Sequence, residues 1–174
     1  MTRKIFSFLI ALSLGPQLLA AEALLEYQVK AVCVLNAARF VSWPASAFDE
    51  ATSPVVVGIL GDNLLGSTLQ AVVKGETIQN RPIVVRRVTL EEVSSVHILF
   101  VSNSERDQLH RVLRALGDAN VLTISEINGF TQSGGMLGLA LARGKIRFEI
   151  NSEAAVRAQL KIDSQFLLLA RSAR

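Results

Sequence analysis

Cysteine and histidine are nearly absent from this chain, and this leaves little chance of a disulfide or a metal site. The 174 residues include one cysteine, Cys33, so no disulfide can form within a single copy. Cys33 falls in an apolar helical stretch, which predicts a buried, unreactive thiol. The two histidines, His97 and His110, have no metal-binding spacing, so no metal site is predicted. His97 falls in a core-like strand and His110 on a helix, as is typical of structural or solvated histidines.

Catalytic motifs are also missing. The sequence has no G-x-S-x-G nucleophile motif, and Gly134–Gly135 lacks the Lys-Ser/Thr of a phosphate-binding loop. The acidic pairs Asp49–Glu50 and Glu91–Glu92 are adjacent residues, so their side chains point in different directions and cannot flank one scissile bond. The catalytic candidates in the sequence are therefore few, and no cofactor is predicted.

Neither sign of charge is in strong excess. The formal net charge is +3, and it falls to +2 once Arg3, Lys4 and Glu22 are left out. A nucleic-acid-binding domain instead concentrates Lys and Arg along one face. No nucleic-acid partner is predicted.

The longest hydrophobic run lies at the N-terminus and is short. Arg3 and Lys4 precede an apolar run from Ile5 to Leu14, and an Ala-x-Ala pattern follows at Ala21–Ala23. A helix that spans a bilayer needs about 20 apolar residues, so a membrane anchor is disfavoured. A basic start, a short apolar segment and a small-residue cleavage site are typical of a secretory signal peptide. We predict that residues 1–23 are removed on export to the periplasm and that residues 24–174 form a single domain.

Helical and strand patterns alternate along that domain. Residues 24–41 have helical spacing, and we predict that Asn36 is buried on the apolar face. The residues predicted to share that face are Leu25, Val29, Val32, Cys33, Asn36 and Phe40. Short apolar runs predict strands at 55–60, 83–88, 96–101 and 121–124. Asp62 and Ser104 are placed to cap the two helices that follow the first and third of these strands. This alternation predicts an α/β fold, a layered domain with a mainly parallel central sheet flanked by helices.

The C-terminal part changes to strict alternation of apolar and other residues, which predicts an antiparallel β-hairpin with one buried face. The alternating apolar residues are Leu137, Leu139, Leu141, Ile146, Phe148 and Ile150. The opposite face carries Arg147 and Glu149, and two interpretations of it stay open. The two charges pair structurally, or they form a polar surface for a partner or a second copy. Two short helices are predicted to start near Ser152 and Ser164.

Two further groups of residues are candidates for binding. Gly61, Asp62 and Asn63 follow the first predicted strand, and ligands of open α/β sheets bind at the carboxyl ends of strands, where helix N-termini attract anions. The alternative is that these residues only cap the next helix. Trp43 and Phe48 frame a loop at Pro44, where aromatic side chains either pack into the core, as predicted for Trp43, or contact a partner.

Several motifs together resemble the YfiR family of small periplasmic proteins. A Y-x-x-K-x(5)-N-x(3)-F-V-x-W-P string runs from Tyr27 to Pro44, and an R-F-E-I-N string runs from Arg147 to Asn151. These two strings are specific in combination. Weaker matches are the Ile-Leu-Gly-Asp turn, Arg81–Ile83, His97–Phe100 and Gly134–Met136. The resemblance extends from Tyr27 to Arg171.

The resemblance implies a periplasmic regulator and not an enzyme. It implies that the chain binds and restrains a membrane receptor, such as the periplasmic sensor region of an inner-membrane diguanylate cyclase, and so represses cyclic di-GMP signalling and biofilm growth. It also implies an outer-membrane lipoprotein that sequesters the regulator, and a homodimer. Redox control through several cysteines does not carry over, because only Cys33 is present. The alternative function is a periplasmic small-molecule-binding protein or a hydrolase that uses Gly61–Asn63.

Overall fold

The computed structural model describes residues 15–62, 64–142 and 145–172. The helices in these ranges are α1 (Gly15–Arg39), α2 (Leu64–Val72), α3 (Leu109–Leu116), α4 (Ser152–Arg157) and α5 (Ser164–Ser172). The strands are β1 (Val41–Ser42), β2 (Val55–Leu60), β3 (Thr77–Ile78), β4 (Arg81–Arg87), β5 (Ile98–Val101), β6 (Leu122–Ser125), β7 (Leu137–Ala142), β8 (Lys145–Ile150) and β9 (Lys161–Ile162).

Seven strands form one mainly parallel sheet in the order β3-β4-β2-β5-β6-β7-β8. The five strands from β4 to β7 in this order run parallel, while β3 and β8 pair antiparallel at the two edges. β1 and β9 form a separate two-stranded antiparallel sheet. The predicted α/β class, the parallel centre and the C-terminal hairpin are therefore confirmed.

The alternation of side chains along the central strands divides the apolar residues between two cores, one on each face of the sheet. On β5, Ile98 and Phe100 enter the core that also contains residues of α1, α2, α4 and α5. Leu99 and Val101 enter the second core, which α3 covers. A strand buried on both faces is apolar at nearly every position, which explains the unbroken apolar runs of β2 and β5.

The predicted signal peptide lies largely outside what the structure tests. Residues 1–14 are outside the described ranges, and residues 15–23 begin α1. Export and cleavage of residues 1–23 stay a prediction. Nowhere in residues 15–62, 64–142 and 145–172 does a helix combine the length and apolarity that a membrane crossing needs.

The buried face of α1 differs from the predicted one. Asn36 is exposed, and its Oδ1 accepts a long hydrogen bond of 3.5 Å from Arg39 Nη1. Leu25, Val29 and Val32, predicted to share the buried face with Asn36, are also exposed. The α1 residues in the core are instead Ala31, Val34, Leu35, Ala37 and Ala38. Apolar residues occur all round this helix, so its spacing alone did not identify the face that packs on the sheet.

Because Asn36 is exposed, we expect Asn36→Ala to change the free energy of unfolding by no more than about 0.5 kcal/mol. Ala38→Asn is the matched control, since Ala38 is completely buried and an amide there would lose its water. That control should cost about 1–3 kcal/mol. Urea unfolding of both variants measures the difference, and a large loss in Asn36→Ala would contradict the exposed placement.

Cys33 is half-buried, whereas the sequence predicted a buried thiol. Burial raises the pKa of the Cys33 thiol above its usual value, because it disfavours the charged thiolate. The thiol therefore stays protonated at neutral pH, which agrees with the predicted lack of reactivity.

Candidate functional site

The candidate site is a cleft at the edge of the sheet where β2, β5 and β6 end side by side. Its volume is about 320 Å³. The lining residues are Tyr27, Asp62, Leu64, Leu65, Phe100, Ser102, Asn103, Ser104 and Glu126. The cleft therefore lies at the carboxyl ends of parallel strands, the position that ligands of open α/β sheets occupy.

The turn after β2 is held against the turn after β5 by two hydrogen bonds. The Ser102 hydroxyl donates to the carbonyl of Asp62 at 2.7 Å, and the Asp62 N–H donates to Ser104 Oγ at 3.1 Å. Gly61 makes this approach possible, because its φ is +89° and a Cβ there would lie 2.4 Å from Ser104 Oγ. Of the predicted ligand-binding residues, Gly61 shapes the turn, Asp62 lines the cleft, and Asn63 lies outside the described residues.

Ser104 does not cap α3, as the sequence had predicted. It lies inside a 3₁₀ segment, Asn103–Gln108, and α3 begins only at Leu109. Its hydroxyl is already the acceptor for the Asp62 N–H. The same short polar side chain that suits a helix start also suits the bridging of two turns, so the prediction of a cap was wrong.

A buried lysine lies beside the cleft. Lys30 of α1 is only 6% exposed, and its ammonium group donates to the carboxylates of Glu126 and, at 2.6 Å, Glu26. Lys30 Nζ also lies 5.0 Å from the centre of the Tyr27 ring. Burial alone would lower the pKa of Lys30, but the hydrogen bonds that its ammonium donates to Glu126 and Glu26 outweigh burial and raise that pKa. The ammonium is therefore kept charged.

Charges of both signs surround the cleft. Glu26, Glu126 and Asp62 carry carboxylates near the ammonium of Lys30, while Arg87 donates to the carbonyl of Gly61 and Arg106 donates to the side chain of Asn103. Burial raises the pKa of Tyr27, and the charge of Glu126 adds to the rise, so the phenol stays protonated. Ligand binding at the cleft stays a prediction.

Trp43, a candidate partner-binding residue, lies in the core. It is 8% exposed, and its indole Nε1–H donates to the carbonyl of His97 at 3.1 Å. The predicted core burial of Trp43 is confirmed, and this side chain fastens β1 to the start of β5.

Phe48 is half-buried, and its ring is contacted by two side chains. The rings of Phe48 and His97 stack with their centres 4.4 Å apart, and the Arg81 guanidinium lies 3.7 Å from the Phe48 ring centre. Such stacking holds Phe48 in place. A partner-binding role for Phe48 stays a prediction.

His97 is a structural residue, as predicted, and both ring nitrogens are engaged. Nδ1 accepts from the N–H of Val56 at 3.0 Å, so Nε2 carries the proton and donates to the carbonyl of Ala47 at 3.0 Å. Burial lowers the pKa of His97 below 6.5, the bond to Ala47 opposes that change, and the charge of Arg81 adds to it. The fold therefore selects the neutral ring.

We expect the neutral His97 to make the protein less stable in mild acid. The His97 imidazole binds a proton near pH 6.5 in the unfolded chain and only at lower pH in the folded chain. The stability that the neutral ring contributes is therefore present above pH 6.5 and is lost as pH falls below it. Urea unfolding at pH 7 and pH 5 measures the loss. His97→Gln should reduce it, whereas His110→Gln, at an exposed position of α3, should not. Equal losses in all three proteins would contradict the assignment to His97.

Arg147 and Glu149 lie on β8 opposite Ala140 and Gly138 of β7. The carboxylate of Glu149 accepts a hydrogen bond of 3.0 Å from the hydroxyl of Thr131. Arg147 is half-buried. The contact with Thr131 adds to the structural interpretation of Glu149, and a partner-binding role for either residue stays a prediction.

The pairing of Lys30 with Glu126 could not be predicted from local patterns. The two residues are 96 positions apart, and nothing in the sequence around Glu126 marks it as the partner of a buried lysine. The one feature of the sequence that pointed to this region was the Y-x-x-K part of the N-terminal string, which contains Tyr27 and Lys30. In the described part of the chain, no group of three His, Cys, Asp or Glu side chains is arranged to hold a metal ion.

Comparison with known proteins gives one family match. The model of the YfiR/HmsC-like family matches residues 27–171. No curated protein matches the chain. Among solved structures, a conserved domain protein from Vibrio cholerae O1 biovar El Tor superposes with a TM-score of 0.48 at 13% identity. That alignment covers 67% of this chain and 53% of the V. cholerae chain, so this chain spans about half the length of that protein.

Proposed function

Because the chain belongs to the YfiR/HmsC-like family, we propose that it is a periplasmic regulator that binds and restrains an inner-membrane diguanylate cyclase. Binding would involve the periplasmic sensor region of the cyclase and would lower cyclic di-GMP. An outer-membrane lipoprotein that sequesters the regulator, and a homodimer as its binding form, belong to the same proposal. The family match carries it, since that match covers nearly the whole predicted domain and the family is regulatory.

The state of the histidine and cysteine side chains supports a binding role. Both nitrogens of His97 are used in hydrogen bonds that hold the loop after β1, so this ring is not placed to act as a general base. The raised pKa of the Cys33 thiol disfavours the thiolate that nucleophilic catalysis needs. The single cysteine also means that the proposed restraint should not respond to the forming or breaking of an intrachain disulfide.

A gene deletion tests the proposal. In a host whose membrane cyclase has a periplasmic sensor region, deletion should raise cyclic di-GMP and attached growth. The full chain should restore the low level, and a form lacking residues 1–23 should not, because it would stay in the cytoplasm. A cyclase without its periplasmic region provides the control and should not respond to the deletion. Unchanged cyclic di-GMP in the deletion strain would contradict restraint of that cyclase.

A second candidate function, binding of a small amine, is favoured by the carboxylates at the cleft. The Asp62 side chain is exposed there, and Glu126, whose carboxylate is bound by Lys30, lines the same cavity. Titration calorimetry with a panel of small primary amines tests this function. Binding that is weakened by Asp62→Asn but not by Asp118→Asn, which neutralises an exposed carboxylate after α3, would support it. Binding unaffected by Asp62→Asn would place the amine elsewhere.

A further inference from the structure

The sheet has an edge that its neighbouring strand covers only in part. β3 pairs with β4 only through Thr77 and Ile78, which lie opposite Pro82 and Arg81. The chain that comes from α2 turns at Gly75, whose φ is +79°, and enters the sheet only at Thr77. Among the described strands, none pairs with Ile83–Arg87 on the side away from β2.

Alternate backbone groups of this segment point outward. The N–H of Val88 donates to the carbonyl of Ile59 on β2, so the groups of Val84 and Arg86 also face β2. Those of Ile83, Val85 and Arg87 therefore face away from the sheet. The carbonyl of Val85 accepts a long bond of 3.4 Å from Gln70 Nε2, which supports that direction. An outward row of N–H and C=O groups is a template for another strand.

An apolar groove of about 330 Å³ runs beside this edge. The residues along it are Gln70, Val73, Lys74, Gly75, Glu76, Thr77, Pro82, Ile83 and Val85. Val73, Ile83 and Val85 supply apolar surface, and the groove occupies the place that β3 would fill if it continued. A strand added there could place an apolar side chain against these residues.

The charges at the edge favour an acidic occupant. β4 contains Arg81, Arg86 and Arg87 and no acidic residue, and the carboxylate of Glu76 beside the groove is paired with Arg39. Arg86 binds Glu92 and Ser95, while the hydrogen bond of Arg87 within the described residues is one of 3.4 Å to the carbonyl of Gly61. Lys74 is exposed beside the groove. Antiparallel pairing of two copies of β4 would bring these arginines close to one another, which disfavours a second copy as occupant.

We propose that the outer edge of β4 binds an extended segment of a partner protein. That segment adds a strand antiparallel to β4 in line with β3, with an apolar side chain in the groove and acidic residues near Lys74 and Arg87. This inference depends on the proposed function in one respect, which is that the regulated partner is a protein. Main-chain hydrogen bonds to Ile83, Val85 and Arg87 would hold the segment, and the groove and the two cations would select its sequence.

A displayed library of random peptides of about 12 residues, long enough to cover a strand, is the probe. With the full-length protein as bait, the enriched peptides should combine apolar and acidic residues. The best synthetic peptide should slow hydrogen exchange at the N–H groups of Ile83, Val85 and Arg87 on the order of tenfold. No enrichment, or protection of other segments only, would overturn the proposal.

Two variants separate edge binding from general effects of charge or stability. Lys74→Glu with Arg87→Glu should weaken the peptide on the order of tenfold, and Val85→Pro should weaken it because it removes an outward N–H without touching β2. The control is Arg157→Glu with Lys161→Glu, which makes the same charge change at exposed positions of α4 and β9. Equal weakening by the two double variants, or weakening by neither, would overturn the proposal.

Export of the same peptide into the periplasm links the edge to regulation. Cyclic di-GMP should rise if the peptide displaces the cyclase from the edge of β4. A peptide that binds the edge in vitro without changing cyclic di-GMP would support the strand-addition site and count against the cyclase as its occupant. Failure of the cyclase proposal and failure of the edge proposal therefore give different results.

Discussion

Lys30→Met is expected to lower the free energy of unfolding by about 3–5 kcal/mol. Methionine fills much of the same space but leaves the carboxylate of Glu126 without the ammonium that binds it. The side chain of Glu126 is only 16% exposed, so water can replace that ammonium only in part. Urea unfolding with linear extrapolation measures the loss, provided that the slope with urea concentration does not change.

Two further variants identify the cause of that loss. Adding Glu126→Gln to Lys30→Met should restore a large part of the lost stability, because the unpaired charge is gone. Glu26→Gln alone should cost no more than about 1 kcal/mol, since the Glu26 side chain is 39% exposed. If Lys30→Met is within about 1 kcal/mol of the parent protein, the Lys30–Glu126 pair is hydrated in solution and does not join α1 to β6.

Trp43→Ala is also expected to cost about 3–5 kcal/mol, because it removes a large buried ring and leaves a cavity. Trp43→Phe retains most of the apolar contact and loses only the Nε1–H bond to the His97 carbonyl. That carbonyl keeps a second hydrogen bond, from the Leu122 N–H at 2.9 Å, so the smaller change should cost about 1 kcal/mol.

The Phe variant also tests the hypothesis that Trp43 contacts a partner. Since Trp43→Phe should stay folded at 25 °C, its capture by the periplasmic region of the proposed cyclase partner can be compared directly with that of the parent chain. Unchanged capture is expected from the buried position of Trp43. A folded Trp43→Phe protein that is no longer captured would mean that the indole becomes accessible and meets the partner.

Strong local patterns in the sequence predicted much of the fold. β2 has the predicted bounds, Val55 to Leu60, because a strand buried on both faces has an unbroken apolar run between turn residues. The hairpin of β7 and β8 followed from its alternation of apolar and other residues. β1 and β9 were missed, since strands of two residues show no periodicity and their pairing depends on distant parts of the chain.

Only the part of the candidate site that lies at the end of a predicted strand could be predicted from the sequence. The rule for open α/β sheets located the edge that Gly61 and Asp62 occupy, because it needs only the position of one strand. The buried face of α1 could not be predicted, since apolar residues surround that helix and packing on the sheet decides which of them are covered. The charge of the cleft was missed for the same reason, as it depends on Lys30 and Glu126 meeting in the folded chain.

The distance along the chain between Lys30 and Glu126 also sets an order of assembly. A polypeptide that emerges N-terminus first releases α1 well before β6, and burial of the Lys30 ammonium without its carboxylate is unfavourable. α1 should then stay undocked until Glu126 has emerged, and contacts between such distant residues form slowly. During that interval Ala31, Val34 and Leu35, which the folded protein buries, would be exposed together with the other apolar residues of α1. We therefore expect α1, the first helix to be made, to be among the last to pack in place, so that a chaperone that recognises apolar helices would have its longest access to this segment.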